Sequence, residues 1–285
     1  MAEFIHLSVT ELPELMNQLT KSCPSTTPIF YTADNIVRGR LSLDEVQFYV
    51  NTWPQPACVA VVSPAKCGQL FNYRTTVDLW AEEASILIKF LHENTILEWS
   101  QPIFFRVHPL ADSEFKAVCG VLEEKGGTYN CVERHIYTLT LPPQKIKPLP
   151  VGYTGPENLS QNDAAEVGRQ YSAWGVDPAD TVLYFQACCD QLPSSGIHTD
   201  DGQLVAYAAL HHTSALGSVV TDSQHRRKGL GAAVVADVCT KMLEDKQTPY
   251  VFVNPQNVAS AELYKNCGFE FKAVAYRIRF VPKDC

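Results

Sequence analysis

Residues 219–231, VVTDSQHRRKGLG, place a β-branched strand, a short basic turn and the beginning of a helix next to one another. Gly229 and Gly231 let the main chain approach an anion, because neither residue carries a Cβ atom. A helix that begins at these glycines presents unpaired backbone N–H groups. Positive charge is added by three consecutive residues, namely Arg226, Arg227 and Lys228. The stretch therefore predicts a turn that binds a phosphate ester, although an exposed loop with solvated charges would use the same residues.

The residues that follow predict a helix, a buried strand and a second helix. Apolar residues recur on one face of the first helix, at Val234, Val238 and Met242. TPYVFVNP, residues 248–255, is an apolar run typical of a strand that is buried on both faces. In the second helix we expect Asn254 as the N-cap and Gly268 as a left-handed C-cap.

Two patterns in this region resemble the GNAT superfamily of N-acyltransferases. Arg226-x-x-Gly229-x-Gly231 resembles its coenzyme A loop, Gln/Arg-x-x-Gly-x-Gly/Ala. The run NVASAELYKNCGF, residues 257–269, resembles its pattern Asn-x-x-Ala-x-x-Leu-Tyr-x-x-x-Gly-Phe, with Ser260 where alanine is usual. The residues that match this second pattern are Asn257, Leu263, Tyr264, Gly268 and Phe269.

Over its full length the chain is similar to the glycine N-acyltransferase-like branch of that superfamily. This similarity is carried by Trp53-Pro54 before the strand ACVAVV, by Leu192-Pro193-Ser194-Ser195 before a predicted hairpin, and by QHRRKGLG itself. It implies the GNAT fold, an α/β arrangement around a mixed sheet with one right-handed crossover. It also implies transfer of an acyl group from acetyl-CoA or another acyl-CoA to the primary amine of a small amino acid or amine, without a covalent enzyme intermediate.

The resemblance assigns cofactor-binding roles to the strand, the turn and both helices. Backbone amides from Arg227 to Ala232 would hold the pyrophosphate. Main-chain groups of the preceding strand would pair with the pantetheine arm, and the second helix would pack on the cofactor. The complete set is Val219, Val220, Thr221, Arg226, Arg227, Lys228, Gly229, Leu230, Gly231, Ala232, Asn257 and Ser260.

The resemblance also suggests catalytic residues. Tyr264 would be the general acid that protonates the departing thiolate, although its spacing equally suits a core aromatic on an amphipathic helix. Some members of the branch use a glutamate on the central strands as the base, but no carboxylate occurs from Gln203 to Thr221. His211 and His212 are the nearest titratable groups, and either could accept the proton of the amine. A water relay, Asp222 or the absence of a dedicated base are the alternatives.

A Pro-rich stretch divides the chain into two halves of ordinary domain size. PPQKIKPLPVGYTGP, residues 142–156, interrupts both helical and strand periodicity, so we expect domains at residues 1–145 and 146–285. In the first half, a helix over residues 113–125, a glycine pair and the strand VERHIYTLTL repeat the end of the second half, with Glu123 at the position of Tyr264. This half has no Arg-x-x-Gly-x-Gly turn, so we expect either a degenerate GNAT-like domain without the cofactor loop or an unrelated α/β domain.

Composition restricts the partners and the location of the protein. A formal net charge of −8 argues against a nucleic-acid or anionic-membrane surface, since such partners attract clustered Lys and Arg. The N-terminus MAEFIHLSVTELPELM has neither the basic start of a secretory signal nor the Arg-rich character of a transit peptide. We therefore expect a cytoplasmic protein; a mitochondrial location is the alternative, because enzymes of this branch occur there. The oligomeric state is left open.

Cysteine and histidine spacing predicts reduced thiols and no metal. The ten cysteines are spread over 285 residues, and no Cys-x-x-Cys spacing occurs. His211 and His212 are expected on one strand, where neighbouring side chains face opposite sides of the sheet.

Three functions fit these observations. The leading one is acyl transfer to a small amine or amino acid. Transfer to a protein or peptide amine would need an open polar groove, and a non-catalytic acyl-CoA-binding protein would need only the cofactor residues.

Overall fold

The structure is a computed structural model that describes residues 4–40, 46–64, 75–107, 112–143, 148–171 and 177–283. The chain forms two compact units, here called unit 1 (Met1–Arg134 with Ala273–Cys285) and unit 2 (His135–Lys272). The domain boundary expected at residues 145 and 146 lies outside the described residues.

Unit 1 is built on a mostly antiparallel sheet with helices between its strands. Its elements along the chain are β1 (Ile5–Leu7), α1 (Leu12–Leu19), α2 (Thr27–Val37), β2 (Gln47–Val50), β3 (Cys58–Ser63), β4 (Thr75–Ala81), α3 (Ala84–Glu93), β5 (Ile103–Val107) and α4 (Asp112–Glu124). The strands are ordered β1-β2-β3-β4-β5 and are completed by residues 276–280 of β12 (Phe269–Pro282). Among the described strands of unit 1, β4 and β5 run parallel and the other pairs run antiparallel.

Unit 2 has the same plan. Its elements are β6 (Gly127–Leu139, which it shares with unit 1), β7 (Tyr153–Glu157), α5 (Gln161–Gln170), α6 (Pro178–Gln191), β8 (Ser194–Thr199), β9 (Leu204–Leu210), β10 (Leu216–Thr221), α7 (Leu230–Glu244), β11 (Tyr250–Val253) and α8 (Val258–Asn266). The strands are ordered β7-β8-β9-β10-β11 and are completed by residues 135–138 of β6. In the part of unit 2 that the structure describes, β10 and β11 run parallel and the other strand pairs run antiparallel.

The order of elements therefore occurs twice: one strand, two helices, three strands, a helix, a strand and a last helix. The predicted mixed sheet is confirmed. Each sheet ends on a strand from elsewhere in the chain. The strand after α4 contributes residues to the sheet of unit 2, and the strand after α8 contributes residues to the sheet of unit 1.

Local sequence signals explain several of these boundaries. Asp177 caps α6 by accepting a hydrogen bond from the Ala179 amide at 2.8 Å, and Pro178 occupies the first turn. Gly268 follows α8 in the left-handed region with φ 94°, which confirms the predicted C-cap. Each unit has its own buried apolar cluster, and the one in unit 2 packs α7 against β9, β10 and β11. All eight cysteines in the described part of the chain are free thiols.

The packing of α5 on α6 depends on a glycine. A Cβ atom at Gly168 would lie 2.4 Å from the Val182 Cα and 2.7 Å from the Thr181 carbonyl oxygen, so the two backbones are too close for a side chain. Gly120, within α4, has no neighbour within 4 Å of the same position. We expect Gly168→Ala to lower the free energy of unfolding by about 1–3 kcal/mol through overpacking. The matched Gly120→Ala should raise it by about 1 kcal/mol, because alanine suits a helix interior better. Urea titrations of both variants test the pair, and equal effects would contradict this packing.

Buried thiols should make the protein sensitive to alkali. Burial raises the pKa of the Cys58 thiol to about 12, and burial likewise raises the pKa of Cys239. Above about pH 9 the unfolded chain loses protons that the native state keeps, so the unfolding free energy falls by about 1.4 kcal/mol per pH unit for each such thiol. Urea titrations under reducing conditions from pH 7 to 11 should show this slope, and Cys58→Ala should reduce it. Cys23→Ala, which removes an exposed thiol, is the control; an unchanged slope in Cys58→Ala would contradict the prediction.

Candidate functional site

A β-bulge interrupts β10 on the side that pairs with β9. Gly217 pairs with Ala209 and Val220 with Tyr207, so the pairs are separated by three residues on β10 but by two on β9. Ser218 lies inside the bulge with φ 45°, an uncommon conformation for a residue that has a side chain.

On its other side β10 separates from β11. In residues 177–283 their parallel register consists of one pair, Leu216 with Val251. Because the two strands diverge after this pair, residues 219–221 can offer backbone groups to another partner. A cleft therefore opens at the carboxyl end of β10.

The predicted anion-binding turn follows directly. Asp222 caps the short helical turn of residues 223–225 by accepting a hydrogen bond from the Gln224 amide at 2.8 Å. The Arg226 Nε atom donates to the Thr221 carbonyl oxygen at 3.1 Å, which fixes the base of this side chain against the end of β10. Arg227 and Gly229 both have positive φ, 62° and 84°. The chain thus reverses within a few residues and enters α7 at Leu230.

The two glycines of the turn are needed for different reasons. Gly229 has no neighbour within 4 Å of an added Cβ, so its requirement is the left-handed backbone. Gly231 has an ordinary φ, but a Cβ there would lie 3.0 Å from the Thr221 hydroxyl oxygen. The first is a conformational requirement and the second a steric one.

A cavity of about 620 Å³ lies between β10, this turn, the start of α7 and α8. Its lining contains every residue that the sequence predicted to bind the cofactor except Lys228. Four lining residues were missed by the sequence reasoning, namely Ala259, Glu262, Leu263 and Asn266. Each of the four lies three or four residues from two of the others along α8, which is the pattern of a single helical face, and Leu263 alone lies three residues from the predicted Ser260.

Lys228 points to a different neighbour. Its ammonium group donates to the Tyr153 hydroxyl at 2.5 Å and lies 5.1 Å from the centre of that ring. The same hydroxyl is 2.8 Å from Nδ1 of His225. Lys228 therefore connects the turn to β7, while Arg226 and Arg227 provide the positive charge at the cavity.

The N-cap of α8 is Asn257, which corrects the expectation of Asn254. The Asn257 Oδ1 atom accepts a hydrogen bond from the Ser260 amide at 3.1 Å, and the helix begins at Val258. Asn254 instead accepts from the Gln256 amide at 3.1 Å and, through its carbonyl, from the Asn257 amide at 2.8 Å. The extra turn before the helix places the capping residue itself at the cavity.

Tyr264, the predicted general acid, is 2% exposed and belongs to the apolar cluster of unit 2. Its ring packs edge-on against Phe269 at 5.3 Å, and it is not among the residues that line the cavity. Burial raises the pKa of the phenol, and the neighbouring Cys239 and Cys267 thiols raise it further. The hydroxyl is therefore protonated at neutral pH, and its role as the acid stays a prediction.

The repeat places Leu122, rather than Glu123, at the position of Tyr264. Gly126 (φ 80°) and Gly268 (φ 94°) both precede a strand at the end of a helix, and four residues before each lie Leu122 and Tyr264. Leu122 is 1% exposed, so both units use this helical position for their cores. The expected alignment was one residue out of register.

His211 and His212 do not lie on a strand with opposite orientations, as the sequence suggested. β9 ends at Leu210, and both imidazoles contact the Tyr184 hydroxyl through Nδ1, at 3.1 Å for His211 and 2.9 Å for His212. Neighbouring side chains face opposite sides of a sheet only within a strand, and both histidines follow the last residue of β9. The expected opposite orientation was therefore wrong. In the described part of the chain, no group of three His, Cys, Asp or Glu side chains could hold a metal ion.

Unit 1 lacks the features of this site at the equivalent point. Between β4 and α3 lie only Glu82 and Glu83, whereas eight residues separate β10 from α7. Carboxylates at the N-terminus of a helix compensate the helix dipole and repel an anion. Unit 1 therefore keeps the order of elements with a short acidic connection that does not suit an anion.

Comparisons with known proteins agree with this architecture. Residues 194–278 match the family model described as FR47-like protein. The sequence has no match among the curated proteins compared with it. None of the helices in the described residues is long and apolar enough to cross a membrane.

Solved structures resemble the whole chain. A Drosophila melanogaster protein superposes with a TM-score of 0.80 at 19% identity, over 98% of both chains. A GCN5-related N-acetyltransferase-like protein from Streptococcus suis gives 0.54 at 15% identity, over 96% of this chain and 100% of that one. A tandem GNAT protein from the clavulanic acid biosynthesis pathway gives 0.55 at 12% identity, over 98% of both chains. The chain therefore has the fold of the GCN5-related N-acetyltransferases, and its twofold repeat is one that a tandem member of that fold shares.

Proposed function

We propose that the protein is an acyl-CoA-dependent N-acyltransferase that acylates the primary amine of a small amino acid or amine. The observation that carries this proposal is the cavity in unit 2, where the separated end of β10, a basic turn and the start of α7 converge. An acyl-CoA is a phosphate ester joined to an extended amide-containing arm. The cavity offers a complementary partner to each of these parts.

The start of α7 suits the pyrophosphate. The Ala233 amide donates to the Gly229 carbonyl at 3.0 Å, so the helical ladder begins there, and the amides of the preceding turn are not used by it. Arg226 and Arg227 line the same space and add positive charge. The dipole of α7, its first backbone amides and the two arginine charges would together stabilise the bound phosphates.

The separated part of β10 suits the pantetheine arm. Residues 219–221 line the cavity, and after Leu216 their main chain no longer pairs with β11. An extended arm with its own amide groups can replace the missing strand. The thioester would then lie toward the bulge at Ser218.

Acyl transfer requires two proton movements. The amine attacks the thioester carbonyl carbon and loses a proton, and the departing sulfur gains one. Tyr264 is our proposed donor to the sulfur, because burial keeps its phenol protonated. His211 and His212 remain the candidates for the base, and the finer assignment to the glycine N-acyltransferase-like branch is part of this proposal.

A second candidate is a non-catalytic acyl-CoA-binding protein. It is favoured by the burial of Tyr264, which is 2% exposed and does not line the cavity, and by the lack of carboxylates from Gln203 to Thr221. In that case the cavity would bind the cofactor without turnover.

Turnover separates the two candidates. We expect thiol release from acetyl-CoA or a longer acyl-CoA when a panel of amines, amino acids and peptides is supplied. Tyr264→Phe should reduce kcat by about 10- to 100-fold while leaving acyl-CoA binding unchanged, because it removes only a proton donor. Binding of acyl-CoA without turnover on any acceptor would support the non-catalytic candidate, and turnover on peptides alone would change the acceptor class.

Arg226 should contribute to the affinity for CoA itself. We expect Arg226→Ala to raise the Kd of CoA by about 10-fold, since a hydrogen bond to a charged group contributes about 1.5–3 kcal/mol. The loss should shrink at high salt, because charges close to solvent are screened. Calorimetric titrations at two ionic strengths test this. Arg169→Ala removes an exposed arginine that pairs with Glu166 and is the matched control; equal losses in both variants would contradict a pyrophosphate contact for Arg226.

A further inference from the structure

The Tyr184 hydroxyl connects the two histidines that follow β9. Tyr184 lies on α6 and is 2% exposed. Its oxygen is 3.1 Å from His211 Nδ1 and 2.9 Å from His212 Nδ1, and it accepts a hydrogen bond from the His212 amide at 3.1 Å. No sequence pattern singled out this tyrosine.

The number of protons restricts the tautomers of the two imidazoles. A phenol has one proton, so it can donate to at most one of the two Nδ1 atoms. The other Nδ1 must therefore carry its own proton and donate it to the phenol. In a neutral imidazole of that tautomer, Nε2 has a lone pair and can act as a base.

His211 is the histidine whose exposure suits a base. Both contacts, 3.1 Å for His211 and 2.9 Å for His212, lie within hydrogen-bond range, so the two imidazoles are distinguished by their exposure. His212 is 4% exposed, whereas His211 is half-buried. A substrate can therefore approach His211 more readily.

His211 also lies close to the bulge of β10. An added Cβ atom at Gly217 would be 2.5 Å from His211 Nε2, so this nitrogen rests directly on the strand. Gly217 is the first residue of the bulge, and Val219, two residues later, lines the cavity. The imidazole also packs against two aromatic rings: its centre lies 5.8 Å from the centre of the Tyr171 ring and 5.7 Å from that of the Phe185 ring.

We propose that Tyr184 is a positioning residue that holds His211 with a proton on Nδ1, so that Nε2 accepts the proton of the attacking amine. This inference rests on the proposed function. The amine nitrogen forms a bond to the thioester carbonyl carbon while its proton passes to His211 Nε2. The carbon–sulfur bond then breaks, the sulfur takes a proton from the proposed donor Tyr264, and His211 releases its proton to solvent, from which Tyr264 is reprotonated.

The tautomer can be measured without any turnover. Long-range proton–nitrogen NMR spectra of the free protein at pH 8 should show His211 with a protonated Nδ1 and an unprotonated Nε2, assigned by the signals lost in His211→Gln. In Tyr184→Phe the ring remains but the donor–acceptor partner is gone, so we expect a mixture of tautomers or the more common Nε2-protonated form. A wild-type His211 that is already protonated on Nε2 would overturn the proposal.

Kinetics tests the consequence for the reaction. With saturating acyl-CoA, kcat/KM calculated for the unprotonated fraction of the amine should still fall at acidic pH, because a protonated His211 cannot accept a proton. His211→Gln should lower kcat by about 100-fold and abolish the fall of kcat/KM at acidic pH. Tyr184→Phe should lower kcat by about 10-fold and shift the pH at which kcat/KM falls. The other titratable groups around the cluster are Tyr171, His212 and Cys188, which contacts Tyr184. Addition of imidazole should partly restore turnover in His211→Gly.

Tyr207→Phe is the matched control for lost packing. It also removes a buried hydroxyl of unit 2, which donates to the Gln170 side chain at 3.1 Å, and should leave the pH profile unchanged. Wild-type pH profiles in His211→Gln and Tyr184→Phe would overturn the role of His211 as the base. If the wild type binds acyl-CoA but turns over no acceptor, the proposed function and that role both fail, while the NMR result still decides whether Tyr184 orients the ring.

Discussion

The separation of β10 from β11 after a single backbone pair is the constraint on which the site in unit 2 depends. A strand in the middle of a sheet normally uses both edges for hydrogen bonds, so an unused edge must find another partner. The bulge at residues 217–220 tolerates a residue with positive φ, Ser218, at a point where β10 is still paired with β9. Strain of this kind is kept where the surrounding structure holds it in place. The separation of the two strands leaves a cleft that is lined on one side by the backbone of residues 219–221.

The turn and the helix after β10 bring two arginines and a helix N-terminus to this cleft. Gly229 provides the left-handed backbone, Gly231 keeps space beside Thr221, and Arg226 is fixed to the end of the strand. Unit 1 has no equivalent of these three residues between its corresponding strand and helix. It keeps the parallel pair β4 and β5 and the helix between them, but its connection contains only two glutamates. The same order of elements thus places arginines before the helix in unit 2 and glutamates before the helix in unit 1.

A second group of residues lies toward the beginning of β10. The turn from β9 to β10 brings both imidazoles to Tyr184, and one of the rings rests on Gly217. The bulge therefore lies between a basic turn at one end of the strand and two imidazoles at the other. In the function that we propose, the acyl donor and the amine would approach the bulge from these two ends, as direct transfer between two substrates requires.

The sequence by itself determined the elements whose signals are local. The glycine spacing of the turn, the Asp177 cap of α6 and the left-handed Gly268 all depend on a few neighbouring residues, and each was predictable from them. The lining of the cavity on β10 and the turn was predictable for the same reason, because consecutive residues form it. Only the tertiary structure decided which distant groups meet. The burial of Tyr264, the contact of Lys228 with Tyr153 and the convergence of two histidines on Tyr184 join residues far apart in the chain. The strands that complete each sheet also come from distant positions, since a strand's period specifies its faces but not its partner.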